Sequence, residues 1–206
     1  MKVDLFPTSV YRYHVEEPEA LKQRVIEFYN ENKFKDENLT PQDWNCQLFT
    51  TFGSGYFPIS EAIEAFSPHF DEFQEETKNY GNVILTDLWL NCYESTNWQE
   101  KHTHSPGQWS AVYYAVFDPN EHRGTKFLDP NEHVRAANGF KENAAEPWVQ
   151  EGDLIIFPSY LEHSAPLNKS SKLRSTISFN FFVEQEIYEG GDTDFEKLVV
   201  GPGVST

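Results

Sequence analysis

Two textures divide the chain. Up to about residue 81 apolar positions recur mainly at helical spacing. Glu17-Pro18 resembles a helix start with proline in the first turn, and Leu21, Val25, Phe28 and Tyr29 follow on one face. Val3–Phe6 and Val10–Val15 read as short strands around the Pro7-Thr8-Ser9 break. A second helix is expected from Ser60, a good N-cap, with Ile63, Phe66, Phe70 and Phe73 on one stripe, a restart or kink at Ser67-Pro68 and an end at Gly81. Both helices read as packing elements rather than sites.

From Asn82 the pattern becomes that of strands. Val83–Tyr93, Trp109–Phe117, Thr125–Leu128, Asp153–Phe157 and Arg174–Val183 are rich in branched and aromatic residues, and polar turn clusters separate them. Strands that do not alternate with helices argue against a parallel α/β sheet. The pattern predicts a mainly β fold with flanking helices, an eight-stranded jelly roll with the helices outside one sheet. With no internal repeat or low-complexity linker, residues 1–206 are expected to form one domain: a mixed helical support over 1–81, the jelly-roll core over 82–185 and a C-terminal tail over 186–206.

Composition narrows the function classes. The chain has 206 residues, 16 basic against 33 acidic, for a formal charge of −17. A field of that sign repels phosphate backbones, so no nucleic-acid partner and no anionic membrane surface is expected. Aromatic residues make up 16% of the chain, which excludes a disordered segment. Cys46 and Cys92 are too few for a disulfide scaffold or a thiolate zinc site. The longest fully apolar run, Ala111–Phe117, is far short of the ~20 residues of a membrane helix, and no apolar signal region follows Met1. The expectation is a soluble, cytoplasmic protein.

Candidate chemistry centres on Lys101-His102-Thr103-His104. On a strand, residues i and i+2 face the same side, so both imidazoles can point at one metal ion. The plain alternative is two surface histidines beside a Ser-Pro-Gly turn. A third histidine, His163, lies just past the apolar run Asp153–Phe157, about 60 residues further on. Three ligands from separated strands leave coordination positions open for substrate and oxygen, whereas a structural metal closes its shell. His14, His69, His122 and His133 have no such context. In Arg174–Phe182, alternation puts Ile177, Phe179 and Phe181 on one face and Arg174, Thr176, Ser178 and Asn180 on the other. If the polar face looks outward it simply meets solvent. If it looks inward, Arg174 with Thr176 forms a site for a dicarboxylate.

The runs His102-x-His104 with Val112-Tyr113-Tyr114, Gly124-x-Lys126-Phe127-x-Asp129-Pro130, Gly152–Leu161-x-His163 and Arg174-x-Thr176-Ile177-Ser178-Phe179-Asn180 resemble the 2-oxoglutarate/Fe(II)-dependent oxygenases. The nearest branch is a set of small oxygenases, many of them bacterial or phage-encoded, related to prolyl 4-hydroxylases. The resemblance spans roughly Leu88 to Val183. It implies a double-stranded β-helix in which His102 and His163 bind Fe(II) and Arg174, with Thr176 nearby, binds the distal carboxylate of 2-oxoglutarate. It further implies a cosubstrate contact by Tyr93, one by Tyr113 or Tyr114 (only one of which can face inward, with Tyr113 named first), and Asn91 and Asn180 in the pocket wall. Ascorbate is the accessory reductant such enzymes use. For a phage-encoded member the location would be the host cytoplasm.

The family motif has an acidic residue where this chain has His104. The simplest account is a triad of His102, His104 and His163. The alternative is that Asp129 or a water completes it while His104 orients a neighbour. The spacing His102-x-His104-x-x-x-Gln108 with Gly152…Pro158…His163 also fits cupins, metal-dependent dioxygenases on the same barrel, but that reading leaves Arg174 and Thr176 without a role. A non-catalytic jelly-roll binding module is the third reading. The expected activity is hydroxylation of a C–H bond, in a prolyl or other peptidyl residue or in a small molecule, with release of succinate and CO2. Trp89, Trp98, Trp109, Trp148 and Phe127 are expected near the mouth, and Glu94–Glu100 and Asn131–Ala145 as gating loops.

Overall fold

The computed structural model describes residues 7–35, 44, 46–53, 59–104, 107–132, 137, 139 and 144–184. The expected strand Val3–Phe6, His133 and the tail 186–206 lie outside them, as does much of Asn131–Ala145.

Among the described residues there are ten strands and two helices: β1 (Tyr11–His14), α1 (Glu19–Asn32), β2 (Phe49–Thr50), α2 (Ile59–Thr77), β3 (Asn82–Tyr93), β4 (Gln99–His102), β5 (Trp109–Val116), β6 (Lys126–Leu128), β7 (Ala144–Ala145), β8 (Asp153–Pro158), β9 (His163–Ala165) and β10 (Arg174–Glu184). A six-stranded sheet has the order β1-β8-β5-β10-β3-β2 and a four-stranded sheet the order β4-β9-β6-β7. Every pairing is antiparallel. The strands β3 to β10 alternate between the two sheets, except for β6 and β7, which pair within the smaller one, and so make the eight-stranded jelly roll, a double-stranded β-helix. β1 and β2 add one strand to each edge of the larger sheet.

The helices cover the outer face of the six-stranded sheet. Leu21, Val25, Phe28 and Tyr29 of α1 and Phe66, Phe70 and Phe73 of α2 share one core with Leu90, Tyr113, Leu154, Ile156, Ile177, Phe179 and Phe181. Phe66 stacks on Phe179 at 5.3 Å, and Phe70 and Phe73 meet Phe181 edge-on at 5.3 and 5.7 Å. A smaller core between the sheets contains Val112, Tyr114, Phe127, Ile155 and Phe157. Successive residues of β5 therefore go to opposite cores, the expected result for a strand buried on both faces.

The helix boundaries differ in detail from the sequence pattern. α2 begins at Ile59, so Ser60 lies in its first turn, and it runs through Pro68 as one helix. Ser67 Oγ donates to the Ile63 carbonyl at 2.9 Å, a side-chain bond next to the point where proline has no N–H to give. The helix stops at Thr77, before Gly81: Lys78 takes the left-handed conformation at φ 56°. Gln74 Oε1 accepts the Gly81 N–H at 2.9 Å and steers the chain into β3. Gly152 does need its conformation (φ 85°): its N–H donates to the Tyr114 carbonyl at 2.9 Å, and a Cβ there would meet His14 and Pro18 at 2.9 and 3.1 Å.

Phe66 is fully enclosed between Tyr113 and Phe179. Phe66→Ala is expected to lower the unfolding free energy by about 3–5 kcal/mol, read from the shift in urea midpoint.

Candidate active site

The site is assembled by strand register. On the larger sheet, β10 pairs with β3 so that Arg174 faces Tyr93, Thr176 faces Asn91 and Ser178 faces Trp89. On its other side β10 pairs with β5, which puts Thr176 beside Tyr114 and Ser178 beside Val112. All eight of these residues line one cavity between the sheets. The polar face of β10 thus looks inward.

The opposite wall comes from the smaller sheet. β4 pairs with β9 so that His102 lies directly across from His163, and β6 places Phe127 on the far side of His163. His104 falls two residues past the end of β4 rather than on the strand. Its position comes from its backbone N–H, which donates to the Ser159 carbonyl at 3.0 Å. The three rings converge all the same, with centroids 4.4 Å (His102–His163), 5.0 Å (His102–His104) and 5.2 Å (His104–His163) apart. One nitrogen of each lies within 4.8 Å of the others. Asp129 is not part of this cluster. Its Oδ1 accepts the Asn131 N–H at 2.9 Å.

The tautomers follow from the hydrogen bonds. His102 Nδ1 lies 2.8 Å from the Glu100 carbonyl and His163 Nδ1 lies 2.9 Å from the Leu161 carbonyl. A carbonyl only accepts, so both Nδ1 atoms carry the proton and both Nε2 lone pairs are left for a ligand. Burial lowers the pKa of all three rings: His102 below its usual value, His104 to about 4 and His163 to about 3, with the neighbouring imidazoles adding to the depression in the last two. At neutral pH the cluster offers three uncharged nitrogen donors. That set suits a divalent iron, zinc, copper or nickel ion and leaves positions open.

Across the cavity Arg174 is 2% exposed. Its Nη1 donates to the Arg123 carbonyl at 3.0 Å and its guanidinium lies over the Tyr93 ring at 4.2 Å. Its Nη2 is buried and has no hydrogen-bond partner. Burial pulls its pKa down, and among the described residues none that lines the cavity is an Asp or Glu. An uncommitted guanidinium N–H in a site without a carboxylate is a receptor for one. Tyr93 Oη donates to Gln99 Oε1 at 3.0 Å. Tyr114 Oη donates to Thr125 Oγ1 at 2.8 Å and accepts the Thr125 N–H at 3.0 Å. Asn91 Oδ1 is buried in the same wall with no hydrogen-bond partner.

The structure therefore brings together His102, His104, His163, Arg174, Thr176, Tyr93 and Asn91. Tyr113 goes the other way: opposite Ile177 on β10, it packs against Phe66 in the helix-side core, and Tyr114 takes the inward place. Asn180 shares the inward face but lies further along β10, where its Oδ1 accepts a hydrogen bond from Ser110 Oγ at 2.8 Å. Of the aromatic residues expected at the mouth, Trp89 lines the cavity. Phe127 packs behind His163, Trp98 joins the cluster of Cys46 and Tyr93, Trp109 packs on Phe73, and Trp148 is exposed beneath Arg12. Glu94–Glu100 is not a free loop: Asn168 ties it down through the backbones of Thr96 and Asn97, and its last two residues begin β4. Gln99, Ser110 and Thr125 line the cavity without having been singled out in the sequence. Alternation alone would put Gln99, three residues before His102, on the opposite face; the register shift between them in β4 brings both to the cavity. Gln108, the cupin-like position, is occupied elsewhere: its Oε1 accepts the Val183 N–H at 3.0 Å.

Residues 87–180 match the family model described as "Putative 2OG-Fe(II) oxygenase". That stretch, a little under half of the chain, is similar to the 2-oxoglutarate/Fe(II)-dependent oxygenases. Solved structures of the same fold include the non-heme α-ketoglutarate-dependent carbocyclase SnoK of nogalamycin biosynthesis, 13% identical, covering 95% of this chain and 88% of its own at a TM-score of 0.60. A Pseudomonas putida prolyl-4-hydroxylase is 12% identical over 86% of this chain and 94% of its own, with a TM-score of 0.54. EctD from S. alaskensis with bound Fe is 10% identical over 85% and 73%, with a TM-score of 0.61. No curated protein sequence matches this one. The matched stretch and the shared fold support an oxygenase enzyme, and the matched family is named for Fe(II) and 2-oxoglutarate. No helix among the described residues is long and apolar enough to cross a membrane.

The depressed histidines make a pH prediction for the metal-free protein. In the unfolded chain His163 takes up a proton near pH 6.5, whereas in the folded chain it stays neutral down to about 3. Lowering the pH through that window therefore favours the unfolded state, by about 1.4 kcal/mol per pH unit for this ring. Urea midpoints measured between pH 7 and pH 5 should fall, and should fall less steeply in His163→Gln.

Proposed function

We propose that this oxygenase hydroxylates a C–H bond of a peptidyl residue, with prolyl peptides the first class to test, and that His102, His104 and His163 hold its Fe(II). The peptidyl assignment draws on the fold neighbours, which include two prolyl hydroxylases, one of them solved in complex with a peptide fragment. The observation that carries the cosubstrate assignment is the buried Arg174 with its unsatisfied Nη2, in the same cavity as the three imidazoles. Arg174 receives the distal carboxylate of 2-oxoglutarate, with the Thr176 hydroxyl beside it. Tyr93 orients the guanidinium from below, and Tyr114, fixed by Thr125, closes the adjoining wall.

Fe(II) bound there supplies the redox chemistry: substrate C–H, O2 and 2-oxoglutarate become C–OH, succinate and CO2. The chain contributes position and environment. The Nδ1–H bonds to the Glu100 and Leu161 carbonyls hold two of the ligand rings in one tautomer and one orientation. The smaller apolar core, with Phe127 and Phe157 against His163, excludes water behind the ligands.

Purified protein with Fe(II) and ascorbate should form succinate from 2-oxoglutarate. 2-Oxoglutarate at 100 times its Kd should raise stability by about 2.7 kcal/mol. Arg174→Met is expected to abolish that stabilisation while metal binding, followed by equilibrium dialysis, persists. His163→Gln and His104→Ala are expected to lose the metal. Unchanged iron affinity in His104→Ala would return the third position to Asp129 or water. Absence of both succinate and the 2-oxoglutarate-dependent stabilisation would favour a binding module without turnover.

A further inference from the structure

A second cleft, of about 280 Å³, opens beside the first and shares Trp89, Gln99, His102 and His104 with it. Its remaining lining is Trp44, Cys46, Phe52, Glu100, Lys101 and Thr103. The aromatic side chains form a row leading away from the histidines. Trp89 lies 5.5 Å from the His104 ring, Phe52 5.2 Å from Trp89 and Trp44 5.5 Å from Phe52. The row is most open at its middle: Trp89 is 4% exposed and Phe52 40%, while Trp44 is partly buried against Cys46, Leu48 and Tyr93. Trp89 Nε1 is buried and has no hydrogen-bond partner, although nothing in the proposed metal or cosubstrate chemistry calls on it.

The unbalanced charge around this row is negative. Glu100 lines the cleft, and Asp87 stands on β3 two residues before Trp89, on the same face and exposed at the mouth. The single lysine of the lining, Lys101, is paired with Glu162 at 3.4 Å. The whole chain adds a formal charge of −17. Aromatic faces with carboxylates behind them attract an organic cation and give no advantage to a neutral or anionic group of the same size. The row also keeps such a charge away from the histidines, since its exposed member, Phe52, is separated from His104 by Trp89.

The geometry points to a substrate that carries a cationic nitrogen on an aliphatic chain. The alkyl part lies along Trp89 toward His104, the cation sits against Phe52 and Trp44, and Trp89 Nε1–H is available to an acceptor on the substrate. This inference rests on the proposed oxygenase reading, because it makes the cleft the approach to the reacting centre. A lysyl side chain in a peptide and a free alkyl amine share that chemistry.

The test uses the full chain loaded with Mn(II) and 2-oxoglutarate, which binds without turnover, and follows tryptophan fluorescence. The probes are a lysyl peptide, the same peptide with acetyl-lysine, a prolyl peptide of matched length, and 1-aminopentane against 1-pentanol. The lysyl peptide or the amine is expected to bind at least about tenfold more tightly than its neutral counterpart. Peptide preference over the free amine, or the reverse, identifies the source. Phe52→Leu, at a half-exposed position, and Asp87→Asn should each reduce that discrimination several-fold while leaving the 2-oxoglutarate-dependent stabilisation intact. Equal binding of lysyl and acetyl-lysyl peptides, or tighter binding of the prolyl peptide, would overturn the cation assignment. Succinate formation would still stand in that case, so failure of this inference is separable from failure of the oxygenase reading.

Discussion

Everything in this molecule that concerns chemistry depends on the period-two alternation of β10. One set of its side chains, Ile177, Phe179 and Phe181, is clamped by the aromatic face of α2. The other set, Arg174, Thr176 and Ser178, therefore has to enter the barrel. Because β10 is flanked by β3 on one side and β5 on the other, its register also decides which residues of those strands stand beside it. A slip of one residue would put a guanidinium into the helix-side core and phenylalanines into the cavity, a double penalty that leaves the register no alternative. The packing of the helices and the placement of the site are thus one constraint.

The second constraint is electrostatic. The chain has twice as many acidic as basic residues, yet among the described residues the cavity of the three histidines is lined by none of the acids and by two arginines, Arg123 and Arg174. Keeping Arg174 charged at that depth is costly, and only part of the cost is offset by the Arg123 carbonyl and the Tyr93 ring. For the proposed anionic cosubstrate, leaving the remainder unsatisfied is a gain, because any internal carboxylate would compete for the same donor. The acidic groups are instead outside, around the neighbouring cleft and over the surface. The field at the mouth and the field at the cavity floor therefore differ in sign.

Much of this was readable in the sequence, because the long strands carry strong patterns. The alternation in Arg174–Phe182 separates the two faces of β10, and the apolar runs of β5 and β8 mark strands buried on both sides. The proposed ligand histidines could be found because two stand two residues apart and the third follows a buried strand. What the sequence could not resolve depended on partners. In Val112-Tyr113-Tyr114 every residue is apolar or aromatic, so the pattern has no phase, and only pairing with Thr176 and Ile177 shows that Tyr114 faces inward. β4 and β9 are four and three residues long, too short to show a period, yet their pairing sets His102 against His163. The end of α2 was missed for a related reason: Lys78 adopts a conformation usually left to glycine, and Gln74 supplies a cap from within the helix.

The absence of a carboxylate among the three histidines has a consequence for how the site fills. With uncharged imidazoles as the proposed ligands, a divalent metal keeps its whole charge, and Arg174 adds another cation across the cavity. An anionic cosubstrate that touches both neutralises a site that no side chain in the lining can neutralise. Each therefore strengthens the binding of the other, and by linkage the effect is mutual. A carboxylate ligand would weaken that dependence by supplying one negative charge permanently. The histidine at position 104 thus belongs with the unpartnered Nη2 of Arg174 and the acid-free lining: all three leave the cavity with positive charge that only an incoming anion can balance.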